Sequence, residues 1–376
     1  MLNRYREEYF INLNPIQAGG KTNSLIRKVA TNFVDGYSIC DYCAGALHRI
    51  EKPPVCKLII DLAKFLGTDE VVLTHGAREG KFMVMNLLLD PGDVIIIDSN
   101  RHYSTYVATE GVKARVYEVP CTSYPYFEIT PDAYEETIKE IIKKEGTSPK
   151  LALLTHVDGD YGNLTNALEI SSICKKYEIP FLLNAAYTAG RMKVNAKELG
   201  VDFLVCSCHK SFGIPGPLGI LGISEKYKDI FLKKSEKYPK KDISLLGCTS
   251  RSASTATLIE TLPHLENRVE NYEEEVEKAR FFVERMESLG EIKQIGVKPK
   301  KHDLIRLETP FLYEMGLKHR KKGYFLYEEL QDRGITGLTP GQTKWFKIST
   351  YGLTWKQVKY LVGAFEEIVH QETNNF

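Results

Sequence analysis

Phe203-Leu204-Val205-Cys206-Ser207-Cys208-His209-Lys210-Ser211-Phe212-Gly213 opens as an apolar run of strand length and ends in polar residues. Gly213, Pro215, Gly216 and Pro217 then mark a loop. Lys210 therefore stands at the carboxyl end of a buried strand, where open α/β sheets place their ligands. Partial burial there lowers an amine's pKa and suits it to bonding with a carbonyl group. A second apolar run, Phe181-Leu182-Leu183, ends at Asn184, and Tyr187 follows three residues on. A lysine for an aldehyde, a polar partner for a ring nitrogen, and hydroxyl and imidazole groups for a phosphate describe a site for pyridoxal 5′-phosphate (PLP). One lysine in a Gly/Pro loop more commonly just lies on the surface, so the assignment depends on the rest of the chain.

The neighbouring sequence supplies the sheet such a site needs. From about residue 57 to 225, short apolar runs alternate with helical patterns. Val71-Val72-Leu73 precedes Thr74-His75-Gly76-Ala77-Arg78, and Phe82 to Leu88 reads as a buried helix. Val94-Ile95-Ile96-Ile97 follows the turn Pro91-Gly92-Asp93, and Leu151-Ala152-Leu153-Leu154 ends at Thr155-His156-Val157-Asp158. This is the β-α-β rhythm of a mostly parallel sheet covered on both faces. Gly76-Ala77-Arg78, between a strand and a helix start, forms a phosphate cradle: the first helical N–H groups attract an anion and Arg78 adds a bidentate donor. His102, in Asn100-Arg101-His102-Tyr103, is placed to stack on a flat ring.

Near Pro263 the texture changes. A charged helical stretch runs from Asn267 to Ser288, followed by strands Leu304-Ile305-Arg306-Leu307 and Phe346-Lys347-Ile348-Ser349 around a helix from Tyr324 to Arg333. A last helix is expected from Trp355 to His370. The pattern predicts a large domain over residues 1–262, including an N-terminal arm, and a smaller α/β domain over residues 263–376.

Composition narrows the class without choosing a function. The 376 residues are 43% hydrophobic and 26% charged, as in ordinary globular proteins. A net charge of +1 gives no bulk attraction to nucleic acid, so any such contact must be local. No apolar run reaches membrane-spanning length and no apolar leader follows Met1, which points to a cytoplasmic protein. Cys56, Cys121, Cys174 and Cys206 read as packing residues, whereas Cys40 and Cys43 form a C-x-x-C pair, too few ligands alone for a structural zinc. Basic clusters lie at Lys233 to Lys241, Lys298 to His302 and Lys318 to Lys322.

The order Gly76-Ala77-Arg78, His102, His156-Val157-Asp158, Asn184-Ala185-Ala186-Tyr187, Ser207-Cys208-His209-Lys210 resembles the fold-type I PLP enzymes of the cysteine desulfurase group, aminotransferase class V. The resemblance implies that Lys210 binds the aldehyde and His102 stacks on the ring. It places Asn184 at the pyridine nitrogen and Tyr187 at the ring hydroxyl, with Ala77, Arg78, Ser207 and His209 around the phosphate. Asn12-Leu13-Asn14-Pro15-Ile16-Gln17-Ala18-Gly19-Gly20, the Cys40/Cys43 pair and Gly247-Cys248-Thr249-Ser250-Arg251 look like one branch of that family. That branch converts phosphoserine esterified to tRNA(Cys) into cysteine. Kinship to it implies that Cys40, Cys43 and Cys248 serve sulfur delivery, as a persulfide carrier or as ligands of an iron–sulfur cluster. It also implies a homodimer, tRNA(Cys) carrying phosphoserine as substrate, and phosphoseryl-tRNA synthetase as a partner, while leaving the sulfur donor open. The basic clusters become candidate tRNA contacts.

Departures from the desulfurase pattern agree with that branch. Asn184 replaces the usual aspartate, and an amide holds the ring nitrogen protonated less well. No arginine follows Arg333, so the clamp for a free α-carboxylate is missing, and an aminoacyl ester has no free carboxylate. Two rivals stand beside this reading: a desulfurase-like enzyme acting on a free amino acid, and a metal-stabilised RNA-binding protein that uses Cys40 and Cys43 structurally.

Overall fold

Five short runs are buried along their whole length, which requires cover on both faces of the sheet they form. The structure, a computed structural model, describes residues 9–18, 22–34, 53–239, 241–244 and 252–374. After a two-residue strand β1 (Ile11–Asn12), the main sheet takes β2 (Glu70–Thr74), β3 (Val94–Asp98), β4 (Arg115–Val119), β5 (Leu151–Thr155), β6 (Phe181–Asn184), β7 (Phe203–Ser207) and β8 (Gly219–Ile223). Their spatial order is β2-β8-β7-β6-β5-β3-β4. Only β8 runs antiparallel to its neighbours. The order reverses between β3 and β5, and the carboxyl ends there form a ligand crevice.

Alternate residues feed two cores. Ile96, Leu154, Leu183 and Leu204 face helices α1 (Val55–Leu66), α4 (Pro131–Glu145) and α5 (Ala167–Lys176) in one cluster. Ile95, Ile97, Leu153 and Val205 pack on the other face with Met83, Val84 and Met85 of α2 (Ala77–Leu88) and Ala108 of α3 (Ser104–Gly111). α6 (Ser252–Glu270) closes the first core with Leu258, Leu262 and Leu265.

The charged stretch expected as one helix is two. α6 stops at Glu270 and α7 (Tyr272–Glu287) starts after Asn271. The Asn271 side-chain amide donates to the Asn267 carbonyl at 2.7 Å, competing locally with the helical ladder. A third core follows, built on a three-stranded antiparallel sheet ordered β12-β10-β9: β9 (Lys293–Ile295), β10 (Leu304–Glu308) and β12 (Trp345–Ser349). β11 (Ile335–Thr336) pairs in parallel with β1, with Ile11 opposite Ile335, so the N-terminal arm lies against this core and Leu13 is buried in it. The closing helix, α8, spans Trp355–Asn374. No helix among the described residues is long and apolar enough to cross a membrane.

Candidate functional site

The cradle forms where β2 hands over to α2. Gly76 has a φ of 150°, and the Ala77 N–H donates to the Ser207 hydroxyl oxygen at 3.1 Å. That bond joins the helix start to the end of β7. Gly219 lies directly behind: a Cβ there would sit 2.4 Å from the Gly76 Cα, so β8 needs glycine for the loop to take this course. His209 borders the same loop, and its Nδ1 is buried without a hydrogen-bond partner. Arg78 is exposed on the first turn of α2, free of core packing.

Lys210 lies in a single helical turn after β7, with Nζ 4.5 Å from the centroid of the Tyr187 ring. Burial, then the charges of Arg191 and Lys347, bring its ammonium down to about 8. Burial raises the Tyr187 phenol. At the end of β6 Asn184 is only 4% exposed, and its Oδ1 has no hydrogen-bond partner. Leaving such an acceptor unpaired costs about 1–3 kcal/mol, which a bound donor would offset. The unpaired Asn184 Oδ1 and His209 Nδ1, the amides of the cradle and the amine of Lys210 thus fit the nitrogen, phosphate and aldehyde ends of PLP.

A polar chain that the sequence reading missed stands behind His102. Lys81, 1% exposed, donates to the Ser104 Oγ at 2.6 Å and the Thr105 Oγ1 at 3.1 Å. Ser104 Oγ lies 2.8 Å from His102 Nδ1, and the Ser104 backbone N–H also reaches that nitrogen at 3.3 Å. A backbone N–H can only donate, so Nδ1 accepts and the imidazole proton sits on Nε2. Burial, then the charges of Lys210 and Lys81, lower His102 to about 4, keeping the ring neutral. Lys81 itself falls to about 7 through burial, opposed by Asp98. Its position was legible: residues 77, 81, 84 and 85 share one helix face, the buried one. Lys81→Met should free the Ser104 hydroxyl and loosen His102. ¹⁵N imidazole spectra should then show mixed tautomers in place of one, and turnover should fall roughly 10- to 100-fold. An unchanged tautomer would show that Ser104 needs no lysine to hold the ring.

Other expected residues have different places. His156 is buried against the Thr188 hydroxyl at 3.0 Å, and Asp158 accepts the backbone N–H groups of Asp160, Tyr161 and Asn163, fixing the loop after β5. Arg191, fully buried, pairs with Asp303 at 2.6 Å and donates to the Pro15 carbonyl at 2.9 Å. Tyr272 and Ser349 donate to the same carboxylate. No local pattern announced this pair, since its partners lie far apart in sequence. The Lys298 to His302 run is split: Lys298 and Lys301 are exposed, but Lys300 donates to the carbonyls of Tyr161 and Gly162, and His302 is fully buried. Cys56, expected in packing, is exposed, whereas Cys174, Cys206 and Cys208 are buried. Cys40, Cys43 and Cys248 lie outside the described residues, as does Arg251; among the described ones no three His, Cys, Asp or Glu are grouped to hold a metal.

With this geometry in view, three comparisons bear on kinship. The family model described as O-phosphoseryl-tRNA(Sec) selenium transferase, SepSecS, matches residues 90–370. The chain is 48% identical over 370 residues to the O-phospho-L-seryl-tRNA:Cys-tRNA synthase of Methanothermobacter thermautotrophicus, covering 98% of each. It is 48% identical to the protein of the same name in Methanocaldococcus jannaschii, covering 98% of this chain and 97% of that one. Among solved structures, a SepCysS–SepCysE N-terminal domain complex matches with a TM-score of 0.92 and 47% identity, over 99% of this chain and 97% of that one. A cysteine desulfurase from Thermococcus onnurineus NA1 matches at a TM-score of 0.78 and 18% identity, over 97% of this chain and 96% of that one, a likeness of fold.

Proposed function

We propose the following roles from one premise: the chain belongs to the O-phospho-L-seryl-tRNA:Cys-tRNA synthase family. It is a PLP-dependent transferase of fold type I that converts phosphoseryl-tRNA to Cys-tRNA. The observation that carries the site assignment is the half-buried Lys210 amine against Tyr187, one strand from the unpaired Asn184 Oδ1. When bound, PLP supplies an electron sink for the pair released at the substrate α-carbon.

The protein's own groups do the rest. Lys210 would hold the cofactor aldehyde, and its Nζ, when free, would take the proton from the substrate α-carbon. Neutral His102, with its proton on Nε2, would lie against the ring. Asn184 would meet the ring nitrogen and Tyr187 the ring hydroxyl. Ala77, Arg78, Ser207 and His209 would hold the cofactor phosphate. The substrate's own phosphate departs from the β-carbon, and sulfur takes its place. Cys40, Cys43 and Cys248 would deliver that sulfur, either as ligands of an iron–sulfur cluster or as a persulfide whose outer sulfur adds to the β-carbon; a second thiolate of the trio then breaks the S–S bond, forming a disulfide and freeing the product thiol.

We place the enzyme in the cytoplasm as a homodimer. Two domains fit this chain, but the division expected at residues 262 and 263 falls inside α6, whose Leu265 still packs in the first core, so we place it at Asn271. Phosphoseryl-tRNA synthetase is one proposed partner. The matched SepCysS–SepCysE complex supports a further protein partner for this chain.

The tRNA-linked substrate explains the cations near the site. Arg191 cannot clamp a free carboxylate, because Asp303 and the Pro15 carbonyl occupy its two terminal nitrogens. Lys347, on β12, is held by the Gly159 carbonyl at 2.5 Å. Free O-phosphoserine should therefore turn over with a kcat/KM at least ~100-fold below that of phosphoseryl-tRNA, which adds remote binding energy. Phosphate release measured with inorganic sulfide, at two salt concentrations, tests this. Equal turnover of both, without salt dependence, would return the reading to a desulfurase-like enzyme.

A further inference from the structure

The small sheet has two unlike faces. Phe346 and Ile348 of β12 and Ile305 and Leu307 of β10 are buried in the core. Side chains alternate along a strand, so Trp345, Lys347, Arg306 and Glu308 share the opposite, half-buried face. Arg306 pairs across the strands with Lys347, and Glu308 with Trp345.

On that face the rings and charges form one continuous stack. The Arg306 guanidinium carbon lies 4.2 Å from the Trp345 ring centroid and 5.3 Å from that of Tyr161. Tyr161 stacks on Phe127 with centroids 4.3 Å apart and planes at 9°. The stack reaches the reaction site through few contacts. Lys347 Nζ donates to the Gly159 carbonyl, a Cβ on Gly159 would lie 3.7 Å from the Tyr187 ring, and that ring faces the Lys210 amine. Lys347 is close enough for its charge to lower both Lys210 and His102.

We propose that Trp345, backed by Arg306 and Tyr161, is the stacking platform for the 3′-terminal nucleoside of the substrate tRNA. The inference rests on the phosphoseryl-tRNA reading. In that substrate the reacting amino acid is esterified to the last ribose, so bond lengths hold the terminal base within roughly 10 Å of the α-carbon. A base that close to Lys210 needs a π-surface and a cation for the adjoining phosphodiester. The face carrying Trp345 and Arg306 supplies both. Lys347, at its edge, is already joined to the Gly159 carbonyl and to Asp160, so Arg306 is the cation that meets the phosphodiester.

The chain has two tryptophans, Trp345 and Trp355, which makes the test direct. Trp355 packs edge-on against Phe281, so Trp355→Phe leaves one indole reporter. Holoenzyme of that variant, labelled with 5-fluorotryptophan, is titrated with the trinucleotide CCA and watched by ¹⁹F NMR. A saturable shift that weakens with salt is expected. In kinetics, Trp345→Ala should raise KM for phosphoseryl-tRNA about 10- to 100-fold with kcat within about threefold, and Trp345→Phe should retain most of the affinity. No shift with CCA and an unchanged KM, while phosphoseryl-tRNA still turns over, would overturn the platform and leave the proposed function standing. A shift caused by an added protein partner but not by CCA would assign the face to protein contact and overturn the platform equally. If wild-type holoenzyme does not turn over phosphoseryl-tRNA, both readings fail together.

Discussion

Lys210→Ala is expected to lower conversion of phosphoseryl-tRNA by roughly 10³-fold or more, since one nitrogen serves both cofactor capture and proton transfer. Borohydride reduction of wild-type holoenzyme, followed by peptide mapping, should place the label on Lys210, and the alanine variant should take none. The pH dependence has a definite sign. An amine attacks a carbonyl only when neutral, and Lys210 is brought to about 8, so the rate of PLP uptake should rise with pH through that value. Full label and full activity in Lys210→Ala would remove this residue from the chemistry.

Asp303→Asn should cost about 3–5 kcal/mol of stability, because Arg191 would remain buried with its charge unpaired. Urea denaturation measures the loss. Combining Arg191→Met with Asp303→Leu should cost less than the sum of the single changes, since the double variant strands no charge. Burial, the largest single influence, pulls the Asp303 pKa upward, but Arg191, His302 and the hydrogen bonds from Ser349 and Tyr272 together outweigh it and the net shift is downward. A lowered carboxylate contributes stability above its unfolded pKa of 3.8 and loses it as pH falls through the lower folded value, so this pair should fail only in strong acid. Arg191 also helps depress Lys210, and Arg191→Met should move the PLP-uptake profile to higher pH. A loss below about 1 kcal/mol in Asp303→Asn would mean that water reaches the pair.

How much of this the amino-acid sequence announces depends on the range of each interaction. Strands β3, β5, β6 and β7 are apolar up to their last residue because helices cover both faces, and such runs are readable without the fold. Asn184 and Ser207 are readable for a related reason: they are the first polar residues of those runs, and Lys210 follows Ser207 by three positions. β8 is also apolar, but its antiparallel direction depends on the return path of the chain, which no local pattern encodes. Arg191 meets Asp303 and Pro15 from distant positions, so neither its burial nor its role is visible in the residues beside it. In the Lys298 to His302 run charge predicts solvent correctly for Lys298 and Lys301 but not for Lys300, which finds two carbonyls in the interior. Lys81 was recoverable from helix periodicity, which outranks its charge as a guide to burial.

The pairing of β1 with β11 also sets an order of assembly during synthesis. Ile11 leaves the ribosome early, but its partner Ile335 and the Asp303 that anchors Arg191 are made late. At typical elongation rates the arm waits on the order of tens of seconds. Through that interval the β2–β8 sheet can form while Arg191 lacks both Pro15 in place and its counter-ion. The catalytic pocket is thus finished from the carboxyl end, and a nascent chain stalled before Asp303 would hold Lys210 beside an incomplete wall.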